Sequence, residues 1–342
     1  IPGQRTLNGD IIHDICIDKN NNLWIGTEDA GLNKLNMKDH SYTSFNDMKG
    51  LSQNCIHGLA SIDNHLWIGT HANGIDLMDI RTEKIIKHYT ISVNPYANKN
   101  DIIVYLYKLQ NNDLLVATAL GVYQYNSQKD IFEKLSQFPN NCRIQTLFED
   151  HDGVIWAGTS SKGLYYYNPA TSQHGEFKLD TVNTSRTINN IYEDRKNNLW
   201  FATGDGIKIY DRSTQQTTKY DMQDGLPSNV IYRIEEDKKG NMWISTANGL
   251  ARLNPKNHKI KVFKKEHGLT SNQFNYNSSL KTDNDKLYFG TLKGMISFQP
   301  NSIQEFSIQP KVYISQINYN DPDHNFLHQE AITFKKGITL EH

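Results

Sequence analysis

"NNLWIGTEDAGLNKLN", residues Asn21–Asn36, decides the fold because the chain keeps returning to it. A Trp is followed by Ile-Gly-Thr, a short polar stretch, a Gly and an apolar–polar alternation. The pattern recurs as "HLWIGTHANGIDLMD" from His65, "VIWAGTSSKGLYYYN" from Val154, "NLWFATGDGIKIYD" from Asn198 and "NMWISTANGLARLN" from Asn241. Two further copies replace the Trp but keep the frame: "DLLVATALGVYQYN" from Asp113 and "KLYFGTLKGMISFQ" from Lys286. The key positions are Trp24, Trp67, Leu115, Trp156, Trp200, Trp243 and Tyr288, spaced by 43, 48, 41, 44, 43 and 45 residues. A Gly follows each by six or seven positions, from Gly31 to Gly294. A fixed period of about 40–50 residues marks a solenoid or a propeller.

Helical solenoids need apolar residues at helical spacing. These copies alternate instead, as in Leu32-Asn33-Lys34-Leu35, which is the period of a strand. Upstream of each key residue lies an apolar run and a turn: "IIHDICID" with "KNNN", "IQTLFED" with "HDG", "VIYRIEED" with "KKGN". Asn and Gly supply the positive φ that tight hairpins require. Downstream comes a fourth run, "SYTSFN", "KIIKHYT", "QTTKYD" or "KIKVFKK". Four antiparallel strands per copy make a propeller blade, so seven copies predict an all-β, seven-bladed β-propeller over residues 1–303. The rings are expected to wedge between blades, and the small residue of "IGT" or "FAT" to let neighbouring sheets approach. Ile1–Leu7 align with a fourth strand and are expected to complete the seventh blade.

Bulk properties exclude several classes. Lys plus Arg is 36 and Asp plus Glu is 37 in 342 residues, so no general electrostatic grip on nucleic acid or anionic membrane is expected. No apolar run is long enough to cross a bilayer and no signal peptide is visible. "IPGQRTL" reads as a cut into a longer chain, and Leu340-Glu341-His342 reads equally as a tag scar or as native strand. Cys16, Cys55 and Cys142 form no disulfide framework and are expected to be buried, inert thiols.

The combination of apolar-x-x-Asp, a turn, Leu-Trp-Ile-Gly-Thr and Gly-Leu-x-x-Leu-Asn resembles the two-component regulator propeller repeat. So do the links "QDGLPSNVIYRI" from Gln223 and "EHGLTSNQFNYN" from Glu266. "QPKVYISQINYND" from Gln309 resembles the opening of the Tyr-Tyr-Tyr immunoglobulin-like β-domain that follows such propellers, so residues 304–342 would be a linker and the truncated start of a β-sandwich. The resemblance implies the periplasmic sensor part of a hybrid two-component system of the Bacteroidetes type, which detects oligosaccharide breakdown products. Its implied partners are an oligosaccharide, a second propeller and the β-domain of the same receptor, with a homodimer as a further expectation. Histidine kinase activity and DNA contact would belong to other parts of such a receptor. The fragment itself is expected to be no enzyme and to need no cofactor.

Candidate chemistry is sparse. "GTSSKG" at residues 158–163 lacks the order of a phosphate loop. Asp150-His151-Asp152-Gly153 and Asp283-Asn284-Asp285 are better read as Asx turns than as calcium loops. Asp18, Asp150, Asp194 and Asp237 recur with the repeat and read as structural. No catalytic residue is assigned: Glu28, Asp29, Asp76 and Asp205 show no arrangement for the paired carboxylates of hydrolysis. His13 and His57 occupy equivalent positions, but no third metal ligand is evident, so no metal is expected. Aligned with them are Val104, Gln145, Asn189, Tyr232 and Asn275, and beside them Arg143, Arg186, Arg233 and Tyr276. A ring of amides, imidazoles and arginines suits a hydroxyl-rich or acidic sugar. His13, His57, Arg143, Gln145, Arg186, Asn189, Tyr232 and Asn275 are therefore the expected ligand-binding residues. They should lie on the face that also bears Glu28, His71, Lys162 and Asp205. A propeller lyase, a glycoside hydrolase and a pure protein-interaction propeller remain the competing readings.

Overall fold

A computed structural model of the chain describes residues 6–91, 102–179 and 185–303, together with the backbone of two later strands. Seven antiparallel sheets stand in a ring, at residues 12–45, 56–89, 103–134, 144–177, 188–220, 231–263 and 274–298. They are numbered here as blades 1 to 7. Blades 1 to 6 have four strands in sequential order, and blade 7 has three among the described residues. The expected fourth runs form strands Tyr42–Phe45, Lys84–Tyr89, Gln216–Tyr220 and Lys259–Phe263.

The repeat explains itself once folded. In blades 1, 4, 5 and 6 the Trp indole N–H donates to the Asp six residues upstream, at 2.9, 2.7, 2.8 and 2.9 Å for Asp18, Asp150, Asp194 and Asp237. The same carboxylates accept backbone N–H groups two and four residues on, which ties the hairpin to the ring. Asp150 is thus an Asx turn. All five Trp are buried. Trp200 packs with Ile231, Ile234 and Ile244 of the next blade, as a wedge should.

The small residue has a steric cause. A Cβ on Gly158 would meet Ile188 Cγ2 at 2.7 Å, and one on Gly69 would meet Ile103 Cγ2 at 2.5 Å. Each of these Ile residues is the first buried anchor of the following blade. The Thr after the small residue has a role that the sequence reading missed. In all seven blades its hydroxyl donates to the carbonyl of the Gly three or four residues on, at 2.8–2.9 Å. It also accepts a backbone N–H from the loop between, and every one of these Thr side chains is buried.

The ring closes with a bond that also joins several of its other members. Gly31 N donates to Asn54 O, Gly206 N to Asn229 O and Gly249 N to Asn272 O, each from one blade to the link of the next. Gly294 N of blade 7 donates in the same way to Asp10 O before blade 1, at 2.6 Å. Leu7 packs with Ile12, Ile25 and Tyr288 across this seam. Residues 1–5 of the expected closing strand lie outside the described residues.

A second unit begins at Asn301. Its described part is an antiparallel pair of strands, Gln316–Asn320 and Leu327–Ala331. The other residues of 304–342, on which the expected β-domain start falls, and the Leu340-Glu341-His342 end lie outside the described residues.

Candidate functional site

Every innermost strand breaks register just after its anchor. In blade 1 Ile12 pairs with Thr27 but Asp14 pairs with Gly26, so His13 is an extra residue. The same one-residue bulge falls on His57, Val104, Gln145, Asn189 and Tyr232. A bulge re-aims one side chain without disturbing the rest of the ladder. Here it places a row of non-repeating side chains around the central channel.

Blade 7 departs from this rule. Phe274 pairs with Thr291 and Ser279 with Phe289, so Asn275–Ser278 face the single residue Gly290. Asn277 takes a left-handed φ of 54°. Its amide crosses the channel, with Nδ2 donating to Val104 O at 3.2 Å and Gln145 O at 3.4 Å. Blade 7 therefore closes the channel below its mouth. The signal was in the sequence: anchor to key residue is 14 positions in this copy (Phe274 to Tyr288) and 12 in blade 1 (Ile12 to Trp24).

Above this floor is a cavity of about 220 Å³ lined by His13, His57, Val104, Arg143, Gln145, Tyr276 and Asn277. Four of the eight expected ligand-binding residues thus meet in one space. Arg143 Nε donates to Gln145 Oε1 at 2.8 Å, which holds the guanidinium at the rim. The other four stand elsewhere. Asn189 and Asn275 are buried, and their Nδ2 atoms donate to Ile231 O and Ile12 O of the next blades, at 2.7 and 2.8 Å. Tyr232 is buried edge-on against Tyr276, with ring centroids 4.6 Å apart. Arg186 is exposed and does not line the cavity. Arg233 stands over the Tyr105 ring, and its Nε donates to Ser279 Oγ at 2.9 Å.

The loops between second and third strands meet this rim. In blades 1 and 2 the residue after the Thr is tied back to the link of its own blade: Glu28 N donates to Ile11 O and His71 N to Cys55 O. Glu28 Oε2 contacts His13 Nε2 and lies 3.8 Å from His57 Nε2. The rings of His13 and His57 are 4.3 Å apart, and those of His57 and His71 are 4.7 Å apart. Burial lowers the His13 pKa against the pull of Glu28. Burial also brings His57 down to about 3, helped by its imidazole neighbours. Cys55, expected to be an inert buried thiol, is instead half-buried beside Glu28, with its pKa pushed up to about 12 by burial and then by that carboxylate. The third donor not evident for His13 and His57 in the sequence is present in the fold as Glu28, and His57 meets Cys55 and His71 in a second group. Of the other carboxylates considered for catalysis, Asp76 bonds His88 Nδ1 at 2.8 Å and Asp205 bonds Lys219 Nζ at 3.0 Å.

The class of molecule is thus a seven-bladed propeller with a floored, polar cavity at one channel mouth. Residues 6–29, 137–161, 184–205 and 225–248 match the two component regulator propeller family. Histidine kinase P4 of Formosa agariphila is 28% identical to this chain over an alignment covering 98% of the chain and 26% of that protein. The extracellular domain of a protein assigned as a hybrid two component system in B. thetaiotaomicron aligns with a TM-score of 0.77 at 24% identity, covering 97% of this chain and 45% of that one. Virginiamycin B lyase from Staphylococcus aureus aligns with a TM-score of 0.66 at 17% identity, covering 86% of this chain and 94% of that one. At such identities these two likenesses speak to the fold alone. The chain spans about a quarter of the curated relative and under half of the extracellular domain.

Proposed function

We propose that this propeller is the extracytoplasmic ligand-sensing part of a hybrid two-component regulator. We further propose that it takes the end of an oligosaccharide into the cavity at the channel mouth. The carrying observation is the cavity itself. It is lined by Arg143 and Gln145, which offer guanidinium and amide groups to hydroxyls or a carboxylate, and by Tyr276, a half-exposed ring for a pyranose face. Hydroxyl-rich ligands need such convergent hydrogen-bonding groups on a fixed frame. The space is smaller than the roughly 300–1,000 Å³ usual for drug-sized ligands, which suits one terminal sugar rather than a chain. The family repeats support the sensor role. Residues 304–342 would begin the immunoglobulin-like domain that links the propeller to the remainder of the receptor, where a second propeller and the kinase belong. A homodimer would couple two such receptors.

The test is calorimetric titration of polysaccharide-digest fractions with a turnover assay on the same samples. The expected result is heat without turnover, and affinity reduced about tenfold or more in Arg143→Ala and in Tyr276→Ala. A bound ligand at 100 times its Kd adds about 2.7 kcal/mol of stability, which a thermal shift would register. Turnover would transfer the site to the lyase or hydrolase reading. Wild-type affinity in both variants would move binding away from this cavity.

A further inference from the structure

Three equivalent slots of each blade face the channel rim: the residue before the anchor, the bulge residue after it, and the residue after the buried Thr. In blades 3 to 7 the bulge slot holds Val104, Gln145, Asn189, Tyr232 and Asn275. The slot after the Thr holds Ala119, Ser160, Gly204, Ala247 and Leu292. The slot before the anchor holds Ile102, Arg143, Thr187, Val230 and Gln273, and none of these fifteen is an acid, a thiol or an imidazole. Blades 1 and 2 fill the same slots with His13, Glu28, Cys55, His57 and His71. All the soft and carboxylate donors of these slots are therefore on adjacent blades.

We propose that this sector of the rim is a transition-metal site, fitted to zinc, with His13, Glu28 and His57 as its core ligands. Cys55 or His71, both beside His57, supplies the fourth ligand. The ligand atoms of His13, Glu28 and His57 all lie within 4.8 Å of one another, and so do those of Cys55, His57 and His71. Zinc takes imidazole nitrogen and carboxylate oxygen at about 2.0–2.2 Å and thiolate at about 2.3 Å, four ligands in a tetrahedron. Two donors on one ion then stand up to roughly 4 Å apart, so small side-chain rotations bring the set onto a single ion. A mixture of imidazole, carboxylate and thiol selects zinc over the all-oxygen preference of calcium or magnesium.

Two observations point to an absent ligand rather than to a finished hydrogen-bond network. His71 Nδ1 is buried and has no hydrogen-bond partner. His57 Nε2 faces Glu28 Oε2 at 3.8 Å, too far for a hydrogen bond. The opposing charge is Arg143, whose guanidinium shares the cavity but is held by Gln145. Glu28 offsets that charge. The inference is independent of the sugar reading, because the ion needs no glycan to bind.

The test is titration of tag-free, chelator-treated protein with zinc, followed by cobalt for its visible spectrum. Asn occupies the bulge slot in blades 5 and 7, so His13→Asn and His57→Asn place a residue that this slot already accepts. Glu28→Gln keeps shape and removes charge. The expected result is one equivalent of zinc with a Kd below 1 µM, a tetrahedral cobalt spectrum, and affinity at least tenfold weaker in each variant at an unchanged melting temperature. Absence of one-to-one binding in the wild type would overturn the proposal. Zinc affinity unchanged in His57→Asn and Glu28→Gln would overturn it equally.

Discussion

One Trp, one Asp and one Thr carry much of each blade. In blade 5 the Trp200 ring fills the space against Ile231 and Ile244 while its N–H satisfies the Asp194 carboxylate at 2.8 Å. Trp200→Ala removes both, and is expected to cost about 3–5 kcal/mol as a core cavity. Trp200→Phe keeps most of the volume and loses the bond, so about 1–2 kcal/mol is expected. Urea unfolding midpoints of the two variants separate packing from hydrogen bonding. A Phe variant as unstable as the Ala variant would show that the bond, not the wedge, dominates. Thr203 combines packing and hydrogen bonding in the same way. Its hydroxyl donates to Gly206 O and accepts from Asp205 N, and it is buried. Thr203→Val keeps the shape and strands both backbone groups, with an expected cost of about 1–3 kcal/mol and faster amide exchange at Asp205. The Trp role was legible because a large ring at a fixed period has few other uses. The Thr role was not, because a hydroxyl between strands reads equally well as ordinary β-propensity.

A blade is specified by where it meets its neighbour. Gly158 has no room for a methyl group: its Cβ would lie 2.7 Å from Ile188 Cγ2 and 2.7 Å from Thr146 Cγ2. Gly158→Ala is therefore expected to push blades 4 and 5 apart and cost about 1–3 kcal/mol, a typical overpacking cost. The double variant Gly158→Ala with Thr146→Ser would recover part of it, since serine lacks the Cγ2 methyl that clashes. No recovery in a double-mutant cycle would place the strain elsewhere. Blades 3, 5 and 6 carry Ala117, Ala202 and Ser245 at this position, so a Cβ fits there and the sheets are not identical copies. The strand pattern made all seven blades readable, since alternation and turns repeat. The bulge did not show itself, because one extra residue in an apolar run leaves the alternation ambiguous. Its consequence was that Asn189 and Asn275 read as ligand donors, whereas their amides bind the carbonyls of Ile231 and Ile12. The meeting of His13 with Glu28, and of His57 with His71 and Cys55, depends on which loop folds over which bulge, and sequence spacing alone does not encode that.

The whole ring differs most from a symmetric object along its channel, where the buried side chains are charged. Below the bulge residues lie Asp14 of blade 1, Tyr105 of blade 3, and Arg233 and Glu235 of blade 6. Glu235 accepts from Ser279 Oγ at 2.7 Å, and Arg233 donates to the same hydroxyl at 2.9 Å. Asp14 Oδ2 accepts from Leu59 N of blade 2 at 2.7 Å, a blade-to-blade bond that Asn190 Oδ1 repeats with Ile234 N at 3.0 Å. The difference between those two side chains is charge. Burial raises the Asp14 pKa from 3.8 to about 7, against the pull of its two backbone N–H donors and of Arg233. Below about pH 4 the carboxyl is protonated in folded and unfolded chains alike, and its protonation costs the fold nothing. As pH rises from about 4 to about 7 the unfolded chain releases this proton and the folded one keeps it, so stability falls by at most about 4 kcal/mol and then levels off. His57 acts in the opposite direction. Its pKa is lowered from 6.5 to about 3 in the fold, so its contribution rises with pH over that interval and masks part of the loss. Asp14→Asn isolates the carboxyl, because His57 is common to both proteins and an amide already serves the equivalent place in blade 5. The variant is expected to gain on the wild type by about 2–3 kcal/mol between pH 5 and pH 8, read as the difference in urea unfolding free energies at the two pH values. A difference that stays constant across that interval would mean that Asp14 is ionised in the folded ring throughout, with Arg233 as its counter-charge.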